Sequence, residues 1–283
     1  MAGTEAHDLA LSRDDIRAIL RGEQNTSRGD VAERLRRLCD TQVRAGRGFA
    51  VVAGPADLAH REAKDFTLAA SRILGQVMPQ DFHGEQVREV RDRGMDIETN
   101  PAARYSDTRF GGHLHTDGMH RPGHIPDLFT LYCHRSAKEG GDSVFVHVDD
   151  ILARLEHDPR VVETLSGWFH FDTRDTSGRF PRTVRRQIIE DGARINYLRE
   201  YVESGHSTDG VPALTAEQRA ALDAVDRILA DPALTRRARL DRGQLMIIDN
   251  RRLVHGRTDF VDSPDPESAR LLFRTWIDTR RQR

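Results

Sequence analysis

Apolar positions fall at helical spacing over 14–21 and again over 30–44, where Val31, Leu35 and Leu38 line up on one face. Each stretch predicts a helix laid against a core. The run Gly48-Phe49-Ala50-Val51-Val52-Ala53-Gly54-Pro55 is apolar throughout and closed by Gly-Pro, so it reads as a buried strand ending in a turn. Helical periodicity returns over 58–74 through Phe66, Leu68 and Ile73, and Gly75 is placed to stop that helix. Beyond residue 84 the texture changes to short strands at 86–91, 128–133, 143–148, 167–173, 184–189, 193–198, 244–249 and 270–277, several separated by Gly or Pro. Eight short strands predict a β-sandwich or barrel rather than a parallel α/β sheet. One helix interrupts them, opening at Thr215 with Gln218 in capping-box position and running to Ala230. No internal repeat, low-complexity tract or linker breaks the chain. Residues 1–283 therefore read as one domain, mainly β with flanking helices (α+β), in which 1–83 is a mostly helical part packed on the core.

Composition narrows the function classes. A formal net charge of -2 lacks the basic excess of a nucleic-acid binder. Lys64 and Lys138 are the only lysines, and the arginines are spread along the chain with acids among them, which points to a genomic bias rather than a binding surface. Two cysteines, Cys39 and Cys133, lie outside any Cys-x-x-Cys pair and suit a reducing cytoplasm. Residues 1–8 show no basic segment followed by an apolar run, and no apolar stretch approaches the ~20 residues needed to span a bilayer. The expectation is a soluble cytoplasmic protein with a small-molecule partner and no nucleic-acid or membrane partner; assembly with further copies of itself stays open.

Candidate chemistry centres on Gly111-Gly112-His113-Leu114-His115-Thr116-Asp117-Gly118. In an extended segment His115 and Asp117 leave the same face and can grip one ion. A second His-x-Asp pair, His147-Val148-Asp149, leads into an apolar helical run, so its carboxylates read as helix N-terminal caps. The glycines around His115 and Asp117 let the backbone bend and a small ligand approach. A third ligand is available from Asn250-Arg251-Arg252-Leu253-Val254-His255-Gly256-Arg257. Two imidazoles and one carboxylate leave three neighbouring coordination positions open, the arrangement suited to non-haem Fe(II). A zinc hydrolase could use the same ligand types with less need of three free positions. On the strand after His255, Arg270, Leu272, Arg274 and Trp276 share one face, and Leu271, Phe273 and Thr275 share the other. Arginines pointing into a barrel are costly unless they meet an anion; the bland reading is an edge strand with a wet polar face.

Four motifs in order, His115-Thr116-Asp117-Gly118, Glu139-Gly140-Gly141-Asp142-Ser143, Asp249 through Arg257 and Arg270-Leu271-Leu272-Phe273-Arg274, resemble the taurine dioxygenase and clavaminate synthase superfamily of Fe(II)- and 2-oxoglutarate-dependent oxygenases. The likeness runs from the strand at 48–55 almost to the C-terminus. It implies a double-stranded β-helix (jelly-roll) core with His115, Asp117 and His255 as catalytic iron ligands. It also implies that Arg270 pairs with the far carboxylate of 2-oxoglutarate, assisted by Ser143. Arg270 and Arg274 are about 13 Å apart along a strand, so one far carboxylate cannot have both as its primary partner, and Arg274 is left for the substrate or the edge of the co-substrate. The stretch 250–274 looks more like the clavaminate synthase branch, whereas Asp117 is as in taurine dioxygenase.

The implied reaction uses Fe(II), 2-oxoglutarate and O2 to hydroxylate an unactivated C–H bond, releasing succinate and CO2. Asp117 argues against chlorination, because the related halogenases carry a small residue there. The basic residues near the presumed mouth favour a small polar substrate, an amino acid or related acid. Candidate pocket residues are His113, Gln80, Met119, His120 and the cluster from Arg194 to Arg199. The rival class is a metal-bearing β-barrel that binds or senses a small acid without turnover, and it would have no need of open coordination sites beside an anion-binding arginine.

Overall fold

The computed structural model describes residues 7–22, 30–81, 83–95, 104–175, 178 and 180–280. The reading of residues 1–8 falls largely outside them. A seven-stranded sheet runs in the order Leu9–Ala10, Phe49–Ala53, Gln244–Asp249, Leu128–Arg135, Leu271–Asp278, Gln76–Met78, with Arg88–Val90 also paired to Leu271–Asp278. All its pairings are antiparallel except that of Leu9–Ala10 with Phe49–Ala53. A second sheet holds Arg236–Ala238, Ser143–His147, Leu253–Arg257 and Gly112–His115 in that order.

Side-chain alternation explains why the long strands are apolar on both faces. Phe49, Val51, Phe129, Met246, Ile248, Leu272 and Trp276 pack in one cluster with Phe145 and Leu253 of the second sheet. Phe49 and Phe145 stack at 4.8 Å between ring centres. Their neighbours Ala50, Val52, Leu245, Ile247, Leu271 and Phe273 join another cluster with the N-terminal helices Arg13–Arg21, Val31–Leu38 and His60–Leu74. The remaining face of the second sheet, through Val146 and Val254, is covered by the helical region between residues 148 and 229.

Several sequence expectations hold. Thr215 with Gln218 forms the expected capping box on Ala216–Leu229; Ser12 with Asp15 forms another, not anticipated, on Arg13–Arg21. Gly75 does end its helix, though for steric reasons: a Cβ there would lie 2.6 Å from the Asp278 carbonyl oxygen. Other expectations need correction. The helix at 30–44 is α only over Val31–Leu38 and widens into a π turn at Cys39–Arg44. Among the described residues four helices rather than one interrupt the strands, namely Val148–Leu155, Pro159–Leu165, Arg199–His206 and Ala216–Leu229. The first three span eight residues or fewer, about two turns, too short for a 3.6-residue period to stand out. Only the middle one carries a readable cap: Asp158 accepts from the Arg160 and Val161 amides before Pro159 at the first helical position, whereas His147 and Leu198 make no side-chain cap bond. The strand expected at 193–198 shrinks to Arg194–Ile195, and Leu253–Arg257 is a strand that polar residues hid. Among the described residues no helix is long and apolar enough to cross a membrane. Both cysteines are buried and unbridged, and burial pushes the Cys39 thiol up to about 11 and the Cys133 thiol up to about 12.

Candidate metal centre

The second sheet brings the two distant histidines together. Leu253–Arg257 pairs antiparallel with Gly112–His115, in a register that sets His255 opposite His115, with an irregularity before Arg257 and Gly112. Opposed residues in such a pair have Cβ atoms about 5 Å apart, and the two imidazole centroids lie 4.4 Å apart. Asp117 follows just beyond the strand. One ligand atom from each of His115, Asp117 and His255 falls within 4.8 Å of the others, and all three residues are buried. His115 Nε2 is 3.8 Å from Asp117 Oδ1, and His255 Nε2 is 3.9 Å from Asp117 Oδ2. Those gaps exceed a hydrogen bond and are of the size one ion bridges, with ligand bonds of about 2 Å.

Protonation suits ligation. His115 Nδ1 lies 2.8 Å from the His113 carbonyl oxygen, which can only accept, so Nδ1 carries the proton and the Nε2 lone pair faces the carboxylate. Burial, opposed by Asp117, lowers the His115 pKa, and burial together with His115 pushes His255 down to about 3. Both rings are neutral at ordinary pH. Burial alone would raise the Asp117 carboxyl, but the Arg274 charge, together with the hydrogen bond from Trp276, outweighs it and holds the group below its usual range. Two neutral imidazoles and an ionised carboxylate form a donor set that fits Fe(II).

A tight frame fixes the carboxylate. Arg274 Nη1 donates to Asp117 Oδ1 at 2.9 Å and Oδ2 at 3.1 Å, and Trp276 Nε1 donates to Oδ2 at 2.9 Å. The Asp117 amide donates to Asn250 Oδ1 at 2.7 Å, while Asn250 Nδ2 donates to the Asp117 and Pro126 carbonyls. Asn250 is 2 % exposed, so its loss leaves those backbone groups without partners or water. Asn250→Ala is expected to cost about 1–3 kcal/mol in stability and roughly 10–100-fold in metal affinity. Urea unfolding and Fe(II) titration of the variant read the two effects separately.

Beside the triad lies a cavity lined by His115, His255, Ser143, Arg270, Leu131 and Leu272. Arg270 is 6 % exposed, its Nη1 has no hydrogen-bond partner, and no carboxylate among the described residues lies within ion-pair distance of its guanidinium. Burial, then the charge of Arg257, lowers its pKa to about 10. A buried guanidinium in that condition calls for an anion. The Gly140-Gly141 motif makes room for it: a Cβ on Gly141, whose φ is +75°, would come 3.1 Å from Arg270 Nε.

The other candidates divide. Met119 and His120 line a second cavity on the triad. Gln80 does not; its Oε1 accepts from Arg274 Nε at 2.9 Å and its Nε2 donates to the Arg274 carbonyl at 2.6 Å, so it braces Arg274. His113 was expected to share a face with His115 in an extended strand. Its φ of +47° breaks that geometry, and its ring pairs with Glu200 instead. Arg199 is drawn away to Glu203, Asp223 and Asp226, and Arg194 pairs with Glu190. Asn250, Trp276 and Tyr105, which packs edge-on to His115 at 5.0 Å, were not singled out from sequence. Trp276 was within reach, since it shares the strand face of Arg270 and Arg274. The rival pair at His147 does open a helix, with Asp149 and Asp150 in the first turn, but the N-cap is His147 and no carboxylate makes the expected cap bond. Among the described residues one further trio could meet an ion, His124, Asp127 and Asp278, but its carboxylates already serve the fold: Asp127 Oδ2 accepts from the Thr279 amide and hydroxyl, and Asp278 is held by Arg280.

Comparison with known proteins adds an independent line. The model of the taurine catabolism dioxygenase TauD, TfdA family matches residues 20–276. FR-33289 synthase of Streptomyces rubellomurinus (strain ATCC 31215) is 25 % identical over 258 residues, covering 85 % of this chain and 71 % of that protein. Uridine-5'-phosphate dioxygenase of a Streptomyces species is 28 % identical over 267 residues, covering 88 % of this chain and 92 % of that protein. Among solved structures, asparagine oxygenase in complex with Fe(II), 2S,3S-3-hydroxyasparagine and succinate superposes with a TM-score of 0.69 at 19 % identity. That match covers 97 % of this chain and 94 % of the other.

Proposed function

Because the chain belongs to the taurine catabolism dioxygenase TauD, TfdA family, and so is an Fe(II)- and 2-oxoglutarate-dependent dioxygenase, we propose that His115, Asp117 and His255 hold its iron and that Arg270 anchors its co-substrate. The observation that carries this reading is the pairing of a buried three-ligand cluster with an adjoining cavity at whose wall a buried guanidinium lacks a counter-charge. The two facing sheets and their covering helices are read as a double-stranded β-helix core in one domain. The cytoplasm is its compartment in this reading.

When bound, Fe(II) supplies activation of O2 for oxidation of a substrate C–H bond, coupled to decarboxylation of 2-oxoglutarate to succinate and CO2. This chain's own residues do the positioning. His115 and His255 present neutral lone pairs. Asp117 is held in place by Asn250, Arg274 and Trp276, as a carboxylate ligand must be if it is not to swing away. Arg270 takes the far carboxylate of 2-oxoglutarate with Ser143 beside it, while Val90, Phe129, Leu131 and Leu272 exclude water from that cavity. A barrel that only binds an acid could use the anion-binding wall, but it has no use for open ligand positions on a metal beside it.

For substrate, this reading takes a small polar molecule bearing an acid group. Uridine-5'-phosphate, named for one relative, and hydroxyasparagine, present in one structural neighbour, both carry one. Purified protein given Fe(II), 2-oxoglutarate and air is expected to release succinate, and to release it faster with the right member of a panel of amino acids and nucleoside monophosphates. Succinate at the protein-free background throughout that panel would overturn the assignment.

A further inference from the structure

The second cavity on the triad shares Tyr105, Ser106, His115 and Arg274 with the co-substrate cavity and extends to Arg104, Met119, His120 and Tyr201. Its charges are unevenly matched. Arg274 is paired with Asp117, Arg88 with Asp107 and Glu85, and Arg93 with Asp107. Arg104 donates to the Gln80 carbonyl at 3.2 Å, and among the described residues no carboxylate stands within ion-pair distance of it. Beside it, His120 is 8 % exposed, and its Nδ1 has no hydrogen-bond partner. Its ring meets Tyr201 edge-on, 5.2 Å between centres, which fixes the plane in which Nδ1 points. Burial, followed by the charges of Arg104 and Arg121, lowers the His120 pKa well below its ordinary value, so the ring is neutral and adds a polar atom without a further cation. Burial, then the charge of Arg88, lowers the pKa of Arg104, against the opposing pull of Tyr201, Asp107 and Asp81.

We propose that this second cavity receives the substrate and that Arg104, with His120 Nδ1, binds the substrate's own oxyanion, carboxylate or phosphoryl, apart from the anion site at Arg270. The proposal rests on the co-substrate reading above, because it gives the two cavities different occupants. Its chemistry is simple. A guanidinium forms two parallel hydrogen bonds to either kind of oxyanion, and one of its oxygens would meet the unused His120 nitrogen. Arg104 is then a specificity-determining residue, selecting acids over their amides and esters, because the neutral analogue would leave a half-buried cation uncompensated.

The test uses the anaerobic protein loaded with Fe(II) and 2-oxoglutarate, whose visible charge-transfer band reports the co-substrate. Inorganic phosphate and acetate are titrated separately against a chloride control by calorimetry. At least one of the two should bind without dimming the band, and the tighter of them identifies the substrate's acid as phosphoryl or carboxylate. Arg104→Ala should weaken that binding tenfold or more while keeping the band, and Arg104→Lys should fall between. Equal binding to Arg104→Ala and wild type, no binding of either anion, or loss of the band as the anion binds would each overturn the proposal. Absence of the band in the wild-type protein before any anion is added would overturn the co-substrate reading instead.

Discussion

Arg270→Met is expected to abolish useful affinity for 2-oxoglutarate while leaving the protein without its ligands as stable as the wild type or more so. The two signs follow from one fact. In the ligand-free fold the Arg270 guanidinium is buried beside Phe260, 5.0 Å from the ring centre, with Nη1 unpartnered and the charge of Arg257 disfavouring it. Replacing a poorly compensated buried charge with an apolar side chain of similar length removes a desolvation cost, and such exchanges are often neutral or stabilising. Binding reverses the balance. Truncating one partner of a buried, hydrogen-bonded charge pair costs about 2–5 kcal/mol, which is roughly 30-fold to several thousandfold in the 2-oxoglutarate KM. Thermal unfolding and co-substrate titration of the same preparation check both signs. A lowered melting temperature with an unchanged KM would mean that Arg270 serves the fold and not the co-substrate. The companion variant Arg274→Met should behave differently, since it strips a partner from Asp117 rather than an anchor from the co-substrate.

Asp117→Ala should show the opposite pattern in stability. Removing the carboxylate leaves Arg274 Nη1 and Trp276 Nε1 buried without their acceptor, and breaking a buried pair in this way typically costs about 3–5 kcal/mol. Iron binding should fall by more than the roughly 10–100-fold expected for outer-shell changes such as Asn250→Ala, and turnover should fall with it. Asp117→Asn separates the two effects. The amide keeps the shape and an oxygen acceptor for Trp276, so stability should recover in part while iron binding stays weak. If Asp117→Asn kept wild-type iron affinity, the carboxylate would not be a ligand.

The sequence made the site's ingredients legible to different depths. The strict alternation over residues 271–277 placed Arg270, Leu272, Arg274 and Trp276 on one face, and the structure keeps them there: Leu272 and Trp276 lie in the cluster between the sheets, while Leu271 and Phe273 face the N-terminal helices. The His-x-Asp spacing was equally readable because it is local. What spacing could not supply was the register that sets His255 against His115, since that pairing spans 140 residues and depends on Leu253–Arg257 being a strand despite Gly256 and its charged neighbours. Arg274's pairing with Asp117 was hidden for a related reason, although the residue does line both cavities. Its place on the strand face was visible, but the carboxylate it grips arrives from a loop beyond another strand. His113 shows how one backbone angle redirects a side chain, because a two-residue period holds only while φ stays extended. Arg199 shows that a basic cluster in sequence is more often answered by acids nearby in space than by a ligand, here by Asp223 and Asp226 of the neighbouring helix.

The most direct test of the account is an anaerobic titration of the wild-type protein with Fe(II) in the presence of 2-oxoglutarate. The account predicts a visible charge-transfer band that saturates at one iron per chain, is absent from Asp117→Ala, and in Arg270→Met appears only at far higher co-substrate concentration. No band in the wild type, or one that both substitutions leave unchanged, would contradict it.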